Sequence, residues 1–374
     1  MKIIVTCFLR LEELPPAITL LKELSKEHEI VYLGVDEPTD YHKKLFNDKV
    51  RIKRVVPLQY EKGKTFFEKV KKKMGWIMKD YLYAKATNAI LEEYNEKDGD
   101  LVWILHEYTL MHLNSKIEKI PFNLTMYELH TDIFKKESML KQRARMAKKI
   151  IVPEYSRSAI VQACIGLPSL PYVVPNKPYE FSEEEVYLED NPMKVFAEEA
   201  HKQGKKVILY SGIFLRERKL DTIIEAALKT PEKYTIAFIG RMSDYLEELL
   251  EKYDNAHYLG FVLPPKHLSM VKYVDIGVLT YVADSGSINP VFCAPNKIWE
   301  YAKYGVPMIC NDIPGLKYTV EYNGFGYCCD IENVDDIAEK LSLICDNFDK
   351  LSKNAVEYYY AADIGAIITK ILND

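Results

Sequence analysis

The sequence lacks several features that mark common classes of protein. No apolar run approaches membrane-spanning length, and the apolar start Ile3–Leu9 meets Arg10 too early for a secretory signal. The seven cysteines show no metal-ligand spacing. No G-x-G-x-x-G follows the first predicted strand, Lys2–Leu9, and the D-x-D sequence Asp98-Gly99-Asp100 is predicted to lie on the surface. We therefore expect a cytoplasmic protein with reduced cysteines, no bound cofactor and no essential metal.

The charge is spread unevenly along the 374 residues. The net charge is −5, yet residues 1–180 hold 30 Lys and Arg against 24 Asp and Glu. The basic excess is concentrated in residues 51–80 and 131–150. A basic first half indicates an anionic partner.

Short apolar runs alternate with helical patterns along the whole chain. Predicted strands at Lys2–Leu9, Glu29–Val35 and Val50–Val56 open the first half, and Val207–Ser211, Tyr234–Ile239 and Ile276–Thr280 belong to the second. This order predicts parallel sheets covered by helices, an α/β fold, and the length predicts two domains. Helices are predicted at Lys141–Lys149 and, as one helix, at Asp335–Asp349.

The most informative stretch is residues 285–315, SGSINPVFCAPNKIWEYAKYGVPMICNDIPG. Pro295 suits a helix start, and Gly305 suits its end. Lys297 and Glu300 are three apart and share one face of this predicted helix. A cation, a carboxylate and the free amides of a helix start suit a nucleoside diphosphate, with the carboxylate on the ribose hydroxyls. An exposed ion pair on an ordinary βα unit is the alternative interpretation.

This stretch resembles the donor site of retaining glycosyltransferases of family 4 (group 1), which have the GT-B fold. The resemblance implies two Rossmann-like domains facing across a cleft, with a C-terminal helix that returns to the N-terminal domain. The acceptor-binding domain would comprise residues 1–178 with 361–374, and the nucleotide-sugar domain residues 179–360. Tyr358–Ala361 is expected to form the crossing.

The resemblance also implies roles for residues of the second domain. Glu300 would hold the ribose, Arg218 and Lys297 the diphosphate, and Gly212 would allow backbone to approach the phosphates. The expected donor-binding set is Gly212, Arg218, Arg241, Pro295, Asn296, Lys297 and Glu300. The sequence departs from the family pattern at Ile213, where members carry Arg, and at Phe292, where many carry Glu. Arg216, Lys219 or Lys297 could replace the missing Arg.

In the first half, polar clusters follow two predicted strands. His106 comes directly after Leu101–Leu105, and His130 and Asp132 come after Phe122–Tyr127. Sites in parallel α/β sheets lie at the carboxyl ends of strands. The resemblance implies that His130 lies near the transferred sugar and is catalytic, together with Arg218 and Lys297. His106, Asp132 and Arg10, which follows the first strand, are the acceptor-side candidates; a surface histidine at a strand end is the alternative for His130.

A long predicted helix, Tyr60–Tyr94, has a basic first half interleaved with Trp and Phe. Over residues 60–82 this pattern suits a helix on an anionic membrane surface, and a domain helix with a solvated lysine face is the alternative. Nucleic acid is not an expected partner, because no recognisable nucleic-acid module accompanies the patch.

Together these features predict a glycosyltransferase, of hexosyltransferase type, that moves a sugar from a nucleotide-diphosphate donor to a sugar or lipid-linked acceptor. Retention of configuration and a role in surface polysaccharide or glycolipid synthesis follow from the resemblance, and so does a location in the cytoplasm or on the inner face of the membrane. Two alternatives remain open at this stage: a non-catalytic GT-B binding partner, motivated by Ile213 and Phe292, and a sugar-nucleotide epimerase.

Overall fold

The computed structural model describes residues 1–56, 81–281 and 287–374, and the chain forms two compact units. The first unit comprises Met1–Tyr179 and Asp363–Asp374, and the second comprises Glu180–Ala362. The predicted membrane segment, residues 60–82, lies outside the described residues except for its last two positions.

The first unit is built on a seven-stranded parallel sheet with the strand order β3-β2-β1-β4-β5-β6-β7. Its strands are β1 (Lys2–Cys7), β2 (Glu29–Gly34), β3 (Val50–Arg54), β4 (Leu101–Leu105), β5 (Phe122–Thr125), β6 (Lys149–Val152) and β7 (Tyr172–Val173). Its helices are α1 (Pro15–Ser25), α2 (Asp40–Leu45), α3 (81–93 as described), α4 (Glu107–His112), α5 (Met139–Ala144), α6 (Tyr155–Ile165) and, at the chain's end, α16 (Ile364–Asn373). Helix α16 contacts α1, so the C-terminal helix packs within the first unit.

The second unit has a six-stranded parallel sheet with the order β10-β9-β8-β11-β12-β13. Its strands are β8 (Lys206–Ser211), β9 (Tyr234–Ile239), β10 (Ala256–Tyr258), β11 (Ile276–Leu279), β12 (Met308–Asn311) and β13 (Gly326–Cys329). Its helices are α7 (Glu183–Val186), α8 (Pro192–Lys202), α9 (Leu220–Ala227), α10 (Asp244–Lys252), α11 (Leu268–Val271), α12 (Asn296–Lys303), α13 (Pro314–Leu316), α14 (Val334–Asp346) and α15 (Phe348–Ala361).

Helices cover both faces of the second sheet, and this explains why its strands are apolar throughout rather than alternating. One core cluster joins strand residues such as Leu209 and Met308 to α12, α13 and α15. The other joins Ile208 and Phe238 to α9, α10 and α14. Strands buried on both faces are typical of parallel sheets, so the apolar runs in the sequence located them correctly.

Two predicted helices had wrong boundaries. The basic helix predicted at Lys141–Lys149 begins earlier, because the Ser138 hydroxyl accepts from the Lys141 amide and caps α5, which ends at Ala144. The single helix predicted at Asp335–Asp349 is two helices that meet at Asn347. The residues of the predicted crossing, Tyr358–Ala361, end α15, and the units divide one residue later, after Ala362.

Asp100 also differs from its predicted surface position. Its carboxylate is nearly buried, lies 3.0 Å from the Lys2 ammonium and accepts a hydrogen bond from the Asn95 amide. Asp100 therefore stabilises the start of β1 and β4. Among the described helices, none is both long and apolar enough to cross a membrane.

Candidate functional site

The centre of the second unit's candidate site is the turn after β8. The Gly212 amide donates to the Ile239 carbonyl at 2.9 Å, which places Gly212 beside Gly240, the residue after β9. Both glycines have positive φ, 135° and 155°. A Cβ on Gly240 would overlap the carbonyl oxygen of Gly212. Glycine is needed here because two backbone turns approach each other without room for side chains.

Lys297 lies directly over this turn. A Cβ built on Gly212 would be 2.7 Å from the Lys297 Nζ and 2.9 Å from its Cε. Burial lowers the pKa of Lys297, and the positive charge of Arg218 lowers it further, while Glu300 opposes the shift. Within the described residues, no carboxylate comes within 4.0 Å of this ammonium, so a half-buried cation lies beside the glycine turn without an ion pair. Such a cation suits an anionic ligand.

Glu300 lies one turn further along α12. Its Oε1 is 3.5 Å from the Nε2 of His267, and the side chains are 13% and 17% exposed. Burial by itself raises the pKa of Glu300, but the attraction of His267 and of Lys297 outweighs burial, and the pKa falls below its ordinary value. Glu300 is therefore an ionised acceptor at neutral pH, which is the state needed to bind hydroxyl groups.

Arg218 approaches the same region from the short 3₁₀ helix Arg216–Arg218, which precedes α9. Its guanidinium donates to the Thr280 carbonyl at 2.6 Å and stacks over the Tyr281 ring at 4.1 Å. The other candidate cations point elsewhere. Arg216 pairs with Glu248, and Lys219 lies 3.4 Å from Glu332. Of the cations proposed to replace the missing Arg at position 213, Lys297 is thus the one that lies at the glycine turn. The Ile213 side chain itself is 70% exposed.

The remaining predicted donor residues surround these groups. Pro295 is the N-cap of α12 and supplies no capping side chain, so the helix proper begins at Asn296. The Pro295 carbonyl accepts from the Ile298 amide at 3.2 Å, but no side chain caps the first turn of this eight-residue helix, which carries the positive end of the helix dipole. Arg241 follows Gly240, and its exposed guanidinium stacks over the Phe261 ring at 4.9 Å. The structure therefore places Gly212, Lys297 and Glu300 in one cluster, and the charge of Arg218 acts on Lys297. Arg241 instead stacks on Phe261 of a neighbouring loop.

In the first unit, two histidines occupy matching positions at the ends of adjacent strands. His106 follows β4 and His130 lies beyond β5, and each accepts a hydrogen bond through Nδ1 from the amide two residues on, at 3.2 Å. In the neutral rings the proton is therefore on Nε2. Burial and the neighbouring His130 lower the pKa of His106 to about 4. His106 also has a positive φ of 73°, which is a strained backbone for histidine and is common at functional sites.

The other acceptor-side candidates lie nearer to solvent. The carboxylate of Asp132 is bonded to the Lys135 ammonium at 2.5 Å, and this bond lowers the pKa of Asp132. Its Oδ2 is 3.9 Å from the Nδ1 of His130, whose side chain is 39% exposed. Arg10 is exposed between β1 and a short 3₁₀ helix.

Two residues of these clusters, Glu107 and His267, were not among the predicted site residues. Glu107 is 1% exposed, and burial raises its pKa to about 8. One oxygen accepts from the Glu128 amide at 3.4 Å, and the other lies 3.2 Å from the His106 Nδ1. The sequence signal for Glu107 was its position next to His106 at the end of β4. His267 had none, because its contact with Glu300 depends on how α11 packs against α12.

Residues 193–361, all in the second unit, match the family model of glycosyl transferases group 1. A comparison with curated proteins finds no match. Among solved structures, sucrose-phosphate synthase (tll1590) from Thermosynechococcus elongatus has 14% identity and a TM-score of 0.71, with 100% of this chain and 98% of that chain covered. A glycosyltransferase from Rickettsia africae ESF-5 has 13% identity and a TM-score of 0.70, with coverage of 100% and 97%. Anabaena Alr3699/HepE in complex with UDP has 14% identity and a TM-score of 0.67, with coverage of 100% and 99%.

The two parallel sheets and these neighbours confirm the predicted fold class, a two-domain Rossmann-like α/β fold of the GT-B type. The match of residues 193–361 to the family model supports a glycosyltransferase.

Proposed function

We propose that the protein transfers a sugar from a nucleotide-diphosphate donor bound by the second unit. The observation that carries the proposal is the Lys297 ammonium, which lies over Gly212 without an ion pair among the described residues, one helical turn from the ionised Glu300. The family match over residues 193–361 supports this function, and so does the UDP bound in the structurally similar Anabaena protein.

The chemistry follows from these charges. When the bond from the anomeric carbon to the diphosphate breaks, negative charge grows on the leaving phosphate. The Lys297 ammonium, the Arg218 guanidinium and the first-turn amides of α12 would stabilise that charge. Glu300 would accept hydrogen bonds from the ribose hydroxyls. Fixed positive groups in a partly buried site supply this stabilisation without reorganisation as the charge develops.

The finer features of the reaction belong to the proposal too. Retention of configuration, a hexose as the transferred sugar, and a sugar or lipid-linked acceptor rest on the sequence resemblance. His130 is the proposed catalytic residue of the first unit, and Arg10, His106 and Asp132 are its proposed acceptor-side residues. The role of residues 60–82 at an anionic membrane stays a prediction.

A thermal-shift titration with UDP, GDP, ADP, CMP and dTDP tests the donor site. A ligand that binds only the folded state stabilises it by RT ln(1 + [L]/Kd), so the melting temperature rises as the ligand concentration increases. We expect a concentration-dependent shift with one of the diphosphates, and its loss in Glu300→Ala. No shift with any of them would contradict the proposal.

A non-catalytic binding protein is the second candidate, and the 70% exposed Ile213 favours it, because an apolar side chain stands where the family carries a phosphate-binding Arg. It predicts the same thermal shift but no release of nucleoside diphosphate from the matching sugar nucleotide. Measured turnover with that sugar nucleotide would exclude it.

A further inference from the structure

We propose that His267 is a positioning residue that fixes the carboxylate of Glu300 for its nucleotide ligand. The inference rests on the proposed function, since Glu300 is the proposed ribose acceptor. His267 would hold Oε1 of Glu300 through its Nε2–H and leave Oε2 for the ligand.

The location of His267 is set by the apolar core beneath it. His267 immediately precedes α11, and Met270 and Val271 of α11 share a core cluster with Ile298 and Trp299 of α12. This packing fixes two helix starts side by side and puts Nε2 of His267 3.5 Å from Oε1 of Glu300. Because both side chains are mostly buried, water screens their attraction less than at a surface.

The protons of the pair can be assigned from the hydrogen-bonding needs of each atom. An ionised carboxylate only accepts, so Nε2 of His267 must be the donor. Nδ1 of His267 is buried and has no hydrogen-bond partner among the described residues. In the neutral ring a proton on Nδ1 would bury a donor without an acceptor, so the proton of that ring is on Nε2, the nitrogen that faces Glu300.

The second unit contains a similar pair that serves as a structural comparison. Nε2 of His201 lies 2.7 Å from Oδ2 of Asp275, whose carboxylate also accepts from the Val207 amide at 2.8 Å and from the Lys206 ammonium at 2.9 Å. This pair links α8 to the first two residues of β8 and includes none of the proposed ligand-binding groups. Loss of His201 should therefore affect stability and leave ligand affinity unchanged.

The test is a double-mutant cycle on UDP affinity, measured by calorimetry, with GDP and ADP in parallel. His267→Leu removes the donor, whereas His267→Gln keeps an N–H close to the position of Nε2. We expect His267→Leu to weaken binding about 10-fold and His267→Gln less than about 3-fold. In a Glu300→Gln background the same His267→Leu change should weaken binding by less than about 2-fold. The matched variant His201→Leu should lower the melting temperature without changing the dissociation constant.

Two results would overturn the inference. The first is an equal loss from His267→Leu in both backgrounds, which would show that His267 does not act through Glu300. The second is full affinity in His267→Leu. If UDP, GDP and ADP do not bind the wild type, the cycle is run with the nucleotide that gives the thermal shift; if none of the five gives a shift, the proposed function fails on its own. The contact is then still tested by ¹⁵N NMR of the free protein, where a His267 proton found on Nδ1 instead of Nε2 would refute it.

Discussion

Glu107 in the first unit and Glu300 in the second are both removed from most solvent, yet their pKa values move in opposite directions. Burial raises the pKa of Glu107 to about 8, and the nearby guanidinium of Arg157 opposes the shift without overcoming it. Burial acts on Glu300 in the same sense, but His267 and Lys297 more than offset it, so the pKa of Glu300 is lowered.

The difference shows what the positive groups of the second unit do. Without strong cationic neighbours, a buried carboxyl is mainly protonated at neutral pH, and His106 beside Glu107 is uncharged because its pKa is lowered to about 4. With a histidine and a lysine beside it, the carboxyl of Glu300 stays ionised. The second unit therefore presents separate positive and negative groups to a ligand, whereas the pair at the end of β4 is largely neutral. Charged groups held in fixed positions suit a ligand with both phosphates and hydroxyls.

The largest expected effect comes from removing the cation beside Glu300. Lys297→Met should weaken binding of the nucleoside diphosphate about 100-fold, because a partly buried charge-assisted contact is lost. The change should also raise the pKa of Glu300 and so make it more like Glu107. Calorimetric titration measures the affinity.

Lys303→Met is the matched control for this prediction, since Lys303 lies at the other end of α12 and donates to the Phe181 carbonyl at 3.5 Å. It should bind the ligand as the wild type does. Equal losses in the two variants would indicate a general charge effect and contradict the assigned role of Lys297.

A second prediction concerns the pH dependence of stability. Glu107 binds its proton more tightly in the folded state, so its contribution is fully present below its ordinary pKa of 4.5 and is lost as the pH rises towards about 8. The lowered pKa of His106 acts in the opposite sense between about 4 and 6.5, so the effect of Glu107 is clearest from pH 6.5 to 8. There the wild type should lose up to about 1.4 kcal/mol per pH unit relative to Glu107→Gln.

Urea unfolding of both proteins between pH 6.5 and 8 measures this difference. The exposed Glu96→Gln in the same unit is the control and should keep the wild-type slope. If the difference in unfolding free energy between wild type and Glu107→Gln is constant over this range, Glu107 is not protonated in the fold and the contrast with Glu300 disappears.

The smallest expected effect comes from the turn beneath Lys297. In Gly212→Ala the new Cβ would lie 2.7 Å from the Lys297 Nζ, so the flexible lysine must move, and we expect about a 10-fold loss of diphosphate affinity. Gly204→Ala provides the control, because Gly204 also has positive φ but has no atom within 4 Å of its added Cβ. That variant should cost about 1 kcal/mol of stability and leave affinity intact. If Gly212→Ala left the diphosphate affinity unchanged, the turn at Gly212 would not be part of the ligand site.

Much of the fold followed from local sequence, because a strand buried on both faces is an apolar run of recognisable length. Phe122–Tyr127 and Ile276–Thr280 were each placed within two residues of the observed strand. Helix ends were less predictable. The break falls at Asn347, whose side-chain amide donates to the Leu343 carbonyl at 2.9 Å, within an otherwise continuous helical pattern.

The candidate site, like the fold, was predicted only in part from the sequence. Lys297 and Glu300 were found because their spacing lies within one helix and one motif. The choice among Arg216, Lys219 and Lys297 needed the structure, which pairs the first two with Glu248 and Glu332. His267 lies 33 positions before Glu300, and nothing in either local sequence indicates that α11 and α12 pack together.

The most direct test of the account is a calorimetric comparison of the nucleoside, its monophosphate and its diphosphate, using the base that gives the thermal shift. We predict that the diphosphate binds the wild type more tightly than the nucleoside, that Lys297→Met removes most of this gain, and that Glu300→Gln weakens all three ligands. If the diphosphate still binds Lys297→Met much more tightly than the nucleoside does, Lys297 does not bind the phosphates. If Glu300→Gln leaves the nucleoside affinity unchanged, Glu300 does not bind the ribose.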